Sequence, residues 1–173
     1  MTDIRQIHNK KDKQFLFEMK LEWLSADAGI LSSDDVKGNI SVATPAAFGG
    51  EKGLWSPEDL FLGAISSCFM TTYLSFVKKI GFSIAHFECN TIGQVALVEG
   101  KYEFTTINVY PKVYIADDGV REKAITALQK TQKYCLISNS IKSHIIYHGE
   151  VLNEKHIQSF ANPSDRDGNS AVA

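Results

Sequence analysis

Two cysteines stand where thiol chemistry could be done, Cys68 and Cys135, 67 positions apart. A cysteine reacts as the thiolate, and its free pKa of about 8.5 must be lowered for that. Cys68 lies among Ile65, Phe69, Met70 and Thr72, inside a long apolar stretch. There it can be a small buried hydrophobe, since free cysteine is among the most buried residue types, or it can be a nucleophile. The second reading needs outside help. A cysteine about ten residues into a helix is beyond the N-terminal dipole, which fades within the first turn, so Cys68 requires a cation brought in by another part of the fold. Cys135, in Tyr134-Cys135-Leu136-Ile137-Ser138, sits where one helix ends and another can start. A helix start favours a thiolate, so local electrostatics make Cys135 the more acidic of the two; its alternative is an ordinary loop cysteine. Cys89 shares a strand face with Phe87 and Thr91 and reads as core.

Other chemistries find little footing. The histidines are His8, His86, His144, His148 and His156. His144 and His148 have i,i+4 spacing but straddle an expected helix end, and no cysteine or carboxylate spacing completes a metal site. No metal and no cofactor are called for. Phe48-Gly49-Gly50 lacks the strand and helix context of a phosphate loop or a nucleophile elbow.

The chain of 173 residues suits one domain, with a core formed by about residue 152 and a polar tail over 153–173. Its 44% hydrophobic and 22% charged residues are ordinary for a globular protein, and the net charge of −2 offers nothing to nucleic acid or to an anionic membrane surface. Residues 1–14 hold no apolar core of a secretory signal, and three cysteines make no secreted disulfide framework, so a reducing cytoplasmic setting is expected. Residues 60–77 carry no charge, but Ser66, Ser67, Thr71, Thr72 and Ser75 interrupt them. A fully buried helix is expected there rather than a membrane span.

The elements that must position the thiols follow from local signals. Alternation over residues 15–23 predicts a half-buried strand with Glu18, Lys20 and Glu22 on its wet face. A turn at 27–29 and further strands at 30–31 and 36–43 continue that sheet, and 44–55 is a loop. Ser56 can cap a helix that Pro57 opens, Glu58 and Asp59 suit its positive end, Lys78 and Lys79 suit its other end, and Gly81 can stop it. A hairpin over 84–98 and 102–114 turns at Glu99-Gly100, with Pro111 expected at an edge or a strand end. A second helix over 120–134, a short third over 137–144 and a last strand over 145–152 complete the chain. Strands, long helix, hairpin, helices and strand make an α+β fold with antiparallel sheets.

Ser56-Pro57-Glu58-Asp59-Leu60-Phe61 through Ser67-Cys68-Phe69 resembles the central motif of the OsmC/Ohr family, the osmotically inducible and organic hydroperoxide resistance proteins. In that motif a Pro-Glu pair opens a helix and Cys-Phe follows ten residues after the Glu, the spacing of Glu58 and Cys68. Cys135-Leu136-Ile137-Ser138 resembles the family's second cysteine, usually followed by Pro, an aliphatic residue and Ser; Leu136 departs from that Pro. The resemblance spans about residues 15–152 and implies an intertwined homodimer with paired long helices in the middle and two sites at the dimer interface. It also implies a thiol peroxidase. Cys68 would become a sulfenic acid on a small organic hydroperoxide, Cys135 would resolve it to a disulfide, and an external dithiol, a lipoyl protein being one candidate, would reduce the pair. Glu58 would act in its own subunit through an intermediary, or serve the partner subunit's Cys68.

The family's arginine is what the sequence lacks. In one branch it precedes the loop Phe, where Ala47 stands before Phe48; in the other it lies in the early strand connection, where Lys37 is the only base. Arg5, Arg121 and Arg166 fit neither place, so Lys37 and Lys52 are the candidate substitutes, although a lysine lacks the bidentate fork. A Cys68 with no cation is expected to keep a high pKa. The competing readings are a non-catalytic binding or sensing module that takes a small hydrophobic molecule near Phe48, Trp55 and Phe69, and a purely structural dimer with two buried thiols.

Overall fold

The computed structural model describes residues 8–9 and 12–157; Arg5, Arg166 and residues 158–173 of the expected tail lie outside them. The chain divides into two compact units, Met1–Phe61 and Leu62–Ala173.

In the first unit, β1 (His8–Asn9) pairs antiparallel with β2 (Asp12–Lys13). The strands β3 (Lys20–Ser25), β4 (Ala28–Ser32) and β5 (Ile40–Ala43) form an antiparallel sheet in that order. Regular pairing starts at Lys20 rather than residue 15, and the turn falls on Ala26 and Asp27, with Ala26 at φ 47°. The half-buried strand expected here is not half-buried within one chain. Every residue of β3 is exposed, Trp23 at 75%, as are Phe15 and Phe17 before it. The unit buries only Gly29, Ala43 and Ser56 among its described residues, so it has no layer of its own with which to cover these side chains. Trp55 returns to β5: its carbonyl accepts from Ala43 N at 2.9 Å and its N–H donates to Ser41 O at 3.3 Å.

The long helix α1 (Pro57–Ile80) has the bounds its end signals predict. Ser56 Oγ accepts from Asp59 N at 3.1 Å, and the Asp59 carboxylate accepts from both Ser56 N and Ser56 Oγ, a reciprocal cap. Gly81, at φ 77°, closes the other end by donating to Val77 O.

The second unit contains β6 (His86–Val98) and β7 (Lys101–Ile115), joined at Glu99 and Gly100 with φ of 49° and 81°, the left-handed pair of a two-residue hairpin turn. The last strand is two short ones. β8 (His144–Tyr147) and β9 (Glu150–Asn153) both run parallel to β7, so this sheet is mixed rather than antiparallel. Pro111 is correspondingly not at an edge. It is buried in the middle of β7, paired with Cys89, where the parallel neighbour changes from β8 to β9; the break in the ladder is where a missing N–H does least harm. Helix α2 (Arg121–Tyr134) follows a turn capped by Asp117, whose carboxylate accepts from Gly119 N. The third helix expected after it is only a turn of 3-10 helix, Ser138–Ser140.

The core of this unit is built on periodicity. Ile65, Phe69, Tyr73 and Val77, one per turn of α1, are buried. They meet the sheet through ring contacts of Tyr73 with Phe87 and of Phe69 with Tyr147, each with centroids 5.4 Å apart. Ile107, Val109, Val113 and Ile115 of β7 and Ala124, Ala127, Leu128 and Thr131 of α2 complete it. The expectation of a fully buried helix fails in the single chain. α1 is long and apolar enough to cross a membrane, yet only 22% of its apolar window is buried here. Gly63, Ser67, Met70, Thr71, Leu74 and Ser75 stay exposed on the face away from that stripe.

Candidate active site

Cys68 sits midway along α1, and Cys135 ends α2, its N–H donating to Thr131 O at 2.9 Å. At Cys135 the chain leaves the helix with φ −64° and ψ 114°, then recoils into the Ser138–Ser140 turn. Asn139 N–H caps Cys135 O at 3.1 Å, Ser140 Oγ donates to Leu136 O at 2.8 Å, and Asn139 Nδ2 donates to Lys133 O at 2.9 Å. This tight segment lies against Cys68: Ile137 N–H donates to Cys68 Sγ at 3.5 Å.

The two thiols are unequal. Burial alone would push the Cys68 thiol up, but it is outweighed by donors: the Ile137 amide, the Cys135 thiol, the Thr72 hydroxyl and the Leu136 amide, which together hold Cys68 below the ordinary cysteine value. Burial pushes the Cys135 thiol up, Ser138 opposes that, and the neighbouring Cys68 raises it further. Ser138 Oγ donates to Cys135 Sγ at 3.2 Å. So the order expected from local electrostatics is reversed, and among the described residues it is hydrogen-bond donors that lower Cys68. The amides after Cys135 do favour a thiolate, but the sulfur they face is that of Cys68. None of the donors that lower it among the described residues is a charged side chain.

Cys89 is pushed up by burial, with Thr91 and Ser66 as its hydrogen-bond neighbours; Ser66 and Thr91 share a 2.7 Å hydroxyl contact. The Tyr147 phenol is pushed up by burial first and also by the charges of Cys135, Cys68 and Cys89, with Ser138 as its opposing hydrogen-bond neighbour. Neither Thr72 nor Tyr147 was singled out from the sequence. The i,i+4 step from Cys68 to Thr72 was a usable signal; nothing local marks Tyr147.

The remaining expected residues divide. Glu58 lies in the first turn of α1, about 15 Å along the axis from Cys68 at 1.5 Å per residue. Its Oε2 is buried with no hydrogen-bond partner among the described residues. Phe48 and Trp55 are exposed, whereas Phe69 is 0% exposed and packs inward on Tyr147, so it offers no surface to a ligand. Lys37 and Lys52 are exposed residues of the first unit. Arg121 is engaged at the start of α2, donating to Asp118 Oδ1 at 2.8 Å and to Val151 O at 2.6 Å. The described residues contain no group of three or more metal-ligating side chains that could hold an ion.

A long helix carrying one thiol, a second thiol at the end of the next helix and a mixed sheet beneath both make an α+β protein of the OsmC type. The sequence model for that family, OsmC-like protein, matches residues 49–147, and the chain belongs to it. Uncharacterized protein YmaD of Bacillus subtilis is 22% identical over 134 residues, covering 75% of this chain and 88% of that one. An OsmC-like protein of Vibrio cholerae has the same fold, with a TM-score of 0.69 at 18% identity, over 78% of this chain and 99% of that one. An organic hydroperoxide resistance protein of Elizabethkingia anophelis matches with a TM-score of 0.64 at 19% identity, over 82% of this chain and 99% of that one.

Proposed function

We propose that this protein is a thiol peroxidase of oxidative stress defence, reducing small organic hydroperoxides through Cys68 and Cys135. The observation that carries the reading is that the segment after Cys135 lies on Cys68, with Ile137 N–H donating to Cys68 Sγ at 3.5 Å, and the two thiols are displaced in opposite directions, Cys68 down and Cys135 up. The Cys68 thiolate attacks the terminal peroxide oxygen. An S–O bond forms, the O–O bond breaks, and the alcohol leaves with a proton; sulfur is oxidised and peroxide reduced. Cys135 then attacks the sulfenic sulfur. The S–S bond forms, and the hydroxyl leaves as water with the Cys135 proton. An external dithiol, such as a lipoyl group, exchanges through a mixed disulfide and returns both thiols.

The working form is a homodimer. The exposed face of α1, with Met70 and Leu74 beside Gly63, Ser67, Thr71 and Ser75, and the uncovered aromatic residues of β3 supply the apolar area that a partner would bury. The orphaned Glu58 Oε2 is where the partner subunit would complete the site. Light scattering is expected to give twice the chain mass; a monomer at micromolar concentration would remove this part of the proposal.

The decisive experiment is intact mass after one equivalent of cumene hydroperoxide, with denaturing alkylation. Loss of two thiols, mapped to a Cys68–Cys135 peptide pair, is expected. Three free thiols after long exposure would overturn the peroxidase and leave the binding-module reading.

A further inference from the structure

We propose that the Ser138 hydroxyl serves the resolving half of the cycle, supporting the Cys135 sulfur as it gathers negative charge and attacks oxidised Cys68. The proposal deepens the peroxidase reading and rests on it for its biological meaning. Ser138 Oγ donates to Cys135 Sγ at 3.2 Å. Cys135 leaves α2 at ψ 114°, Ile137 re-enters helical geometry at φ −63° and ψ −46°, and the side chain three residues on is brought back to the sulfur. The turn does not depend on that hydroxyl. Asn139 N–H donates to Cys135 O, Ser140 N–H to Ile137 O and Ser140 Oγ to Leu136 O, so the donor is in place before any charge develops.

Cys135 is 0% exposed. Water does not solvate its sulfur, and a thiolate in such a setting is unfavourable unless the protein supplies donors. In the second step the Cys135 proton passes to the oxygen leaving Cys68, the S–O bond breaks, the S–S bond forms and water departs. Ser138 keeps its own proton throughout. Its hydrogen bond strengthens as the sulfur becomes charged, since a bond to an ionised acceptor is about twice as strong as one between neutral groups. Ser138 accordingly opposes the burial that pushes the Cys135 thiol up. The first step runs at Cys68, which takes its hydrogen bond from Ile137 N–H instead.

The two steps separate without peroxide. One equivalent of DTNB is mixed with the reduced full-length protein. Cys68 attacks it and releases one nitrothiobenzoate. Cys135 then attacks the mixed disulfide and releases the second, closing a Cys68–Cys135 bond that peptide mapping confirms. Ser138→Ala is expected to keep the first rate. Loss of the donor raises the Cys135 midpoint by about one unit, and after the gain in nucleophilicity that a higher pKa brings, the second release slows about threefold near neutral pH. That deficit should shrink as the pH rises and the thiolate fractions converge, whereas a loosened turn would be slow at every pH. Ser138→Thr, which keeps a hydroxyl, should close faster than Ser138→Val, its equal in shape. A Ser138→Ala protein that is folded by circular dichroism and has an unchanged second release overturns the proposal. Should that variant not fold, the Thr and Val pair decides, and equal rates overturn it. If wild type gives no first or no second release, Cys135 makes no attack to support and the proposal falls. Closure that depends on Ser138 in a protein that spares cumene hydroperoxide would sink the peroxidase alone. Peroxide turnover with closure indifferent to Ser138 would sink the Ser138 role alone.

Discussion

Cys68→Ser is expected to leave cumene hydroperoxide unconsumed, with turnover falling by on the order of 10³ or more, the scale on which removal of a nucleophile acts. The change is nearly isosteric and the position is half-buried on α1, so stability should hold. The hydroxyl that replaces the thiol does not ionise near neutral pH, so the Ile137 amide would face a neutral acceptor and have no thiolate to stabilise. A ferrous xylenol assay of residual peroxide measures it. Cys135→Ser separates the roles: the Cys68 sulfenic acid should still form and be trapped by dimedone, but no internal disulfide should follow. If Cys68→Ser consumed peroxide at the wild-type rate, the nucleophile would have to be elsewhere. Cys89 is a poor substitute, because burial pushes its thiol up.

Phe69→Ala is expected to cost about 3–5 kcal/mol, the range for emptying a large aromatic from a core. The ring is wholly buried and packs on Tyr147 with centroids 5.4 Å apart. A domain holds only about 5–15 kcal/mol in reserve, so the variant should unfold at a much lower urea midpoint with an unchanged m-value. The measurement also separates two roles for Phe69. If it lined a ligand pocket, the variant would stay folded and lose affinity; if it is core, stability goes first. A loss below about 1 kcal/mol would mean that the ring is not packed as described.

What could be read locally was read correctly where a few neighbouring residues decide the outcome. Caps and turns act over one helical turn or one hairpin, which is why Ser56-Pro57, Gly81 and Glu99-Gly100 locate α1 and the β6–β7 hairpin. The expectation that Cys68 and Cys135 act together came from a family resemblance, since 67 positions of chain separate them and no local signal spans that distance. Periodicity was less secure for the last strand and the short third helix. A run of four apolar-rich residues fits either state until its neighbours are known, and here β7 supplied a parallel edge for β8 and β9.

Burial and acidity were settled by tertiary contacts. Residues 15–23 alternate as a half-buried strand should, yet alternation says only that one face wants covering, and nothing among the described residues of the first unit covers it. The same holds for α1, whose apolar circumference exceeds the single stripe that the sheet of its own chain can bury. The acidity order of the thiols turned on donors from residues 68 and 69 positions along the chain from the sulfur they face. A thiol's pKa is set by what lies within a few ångströms of it, and only folding brings the Ile137 amide there.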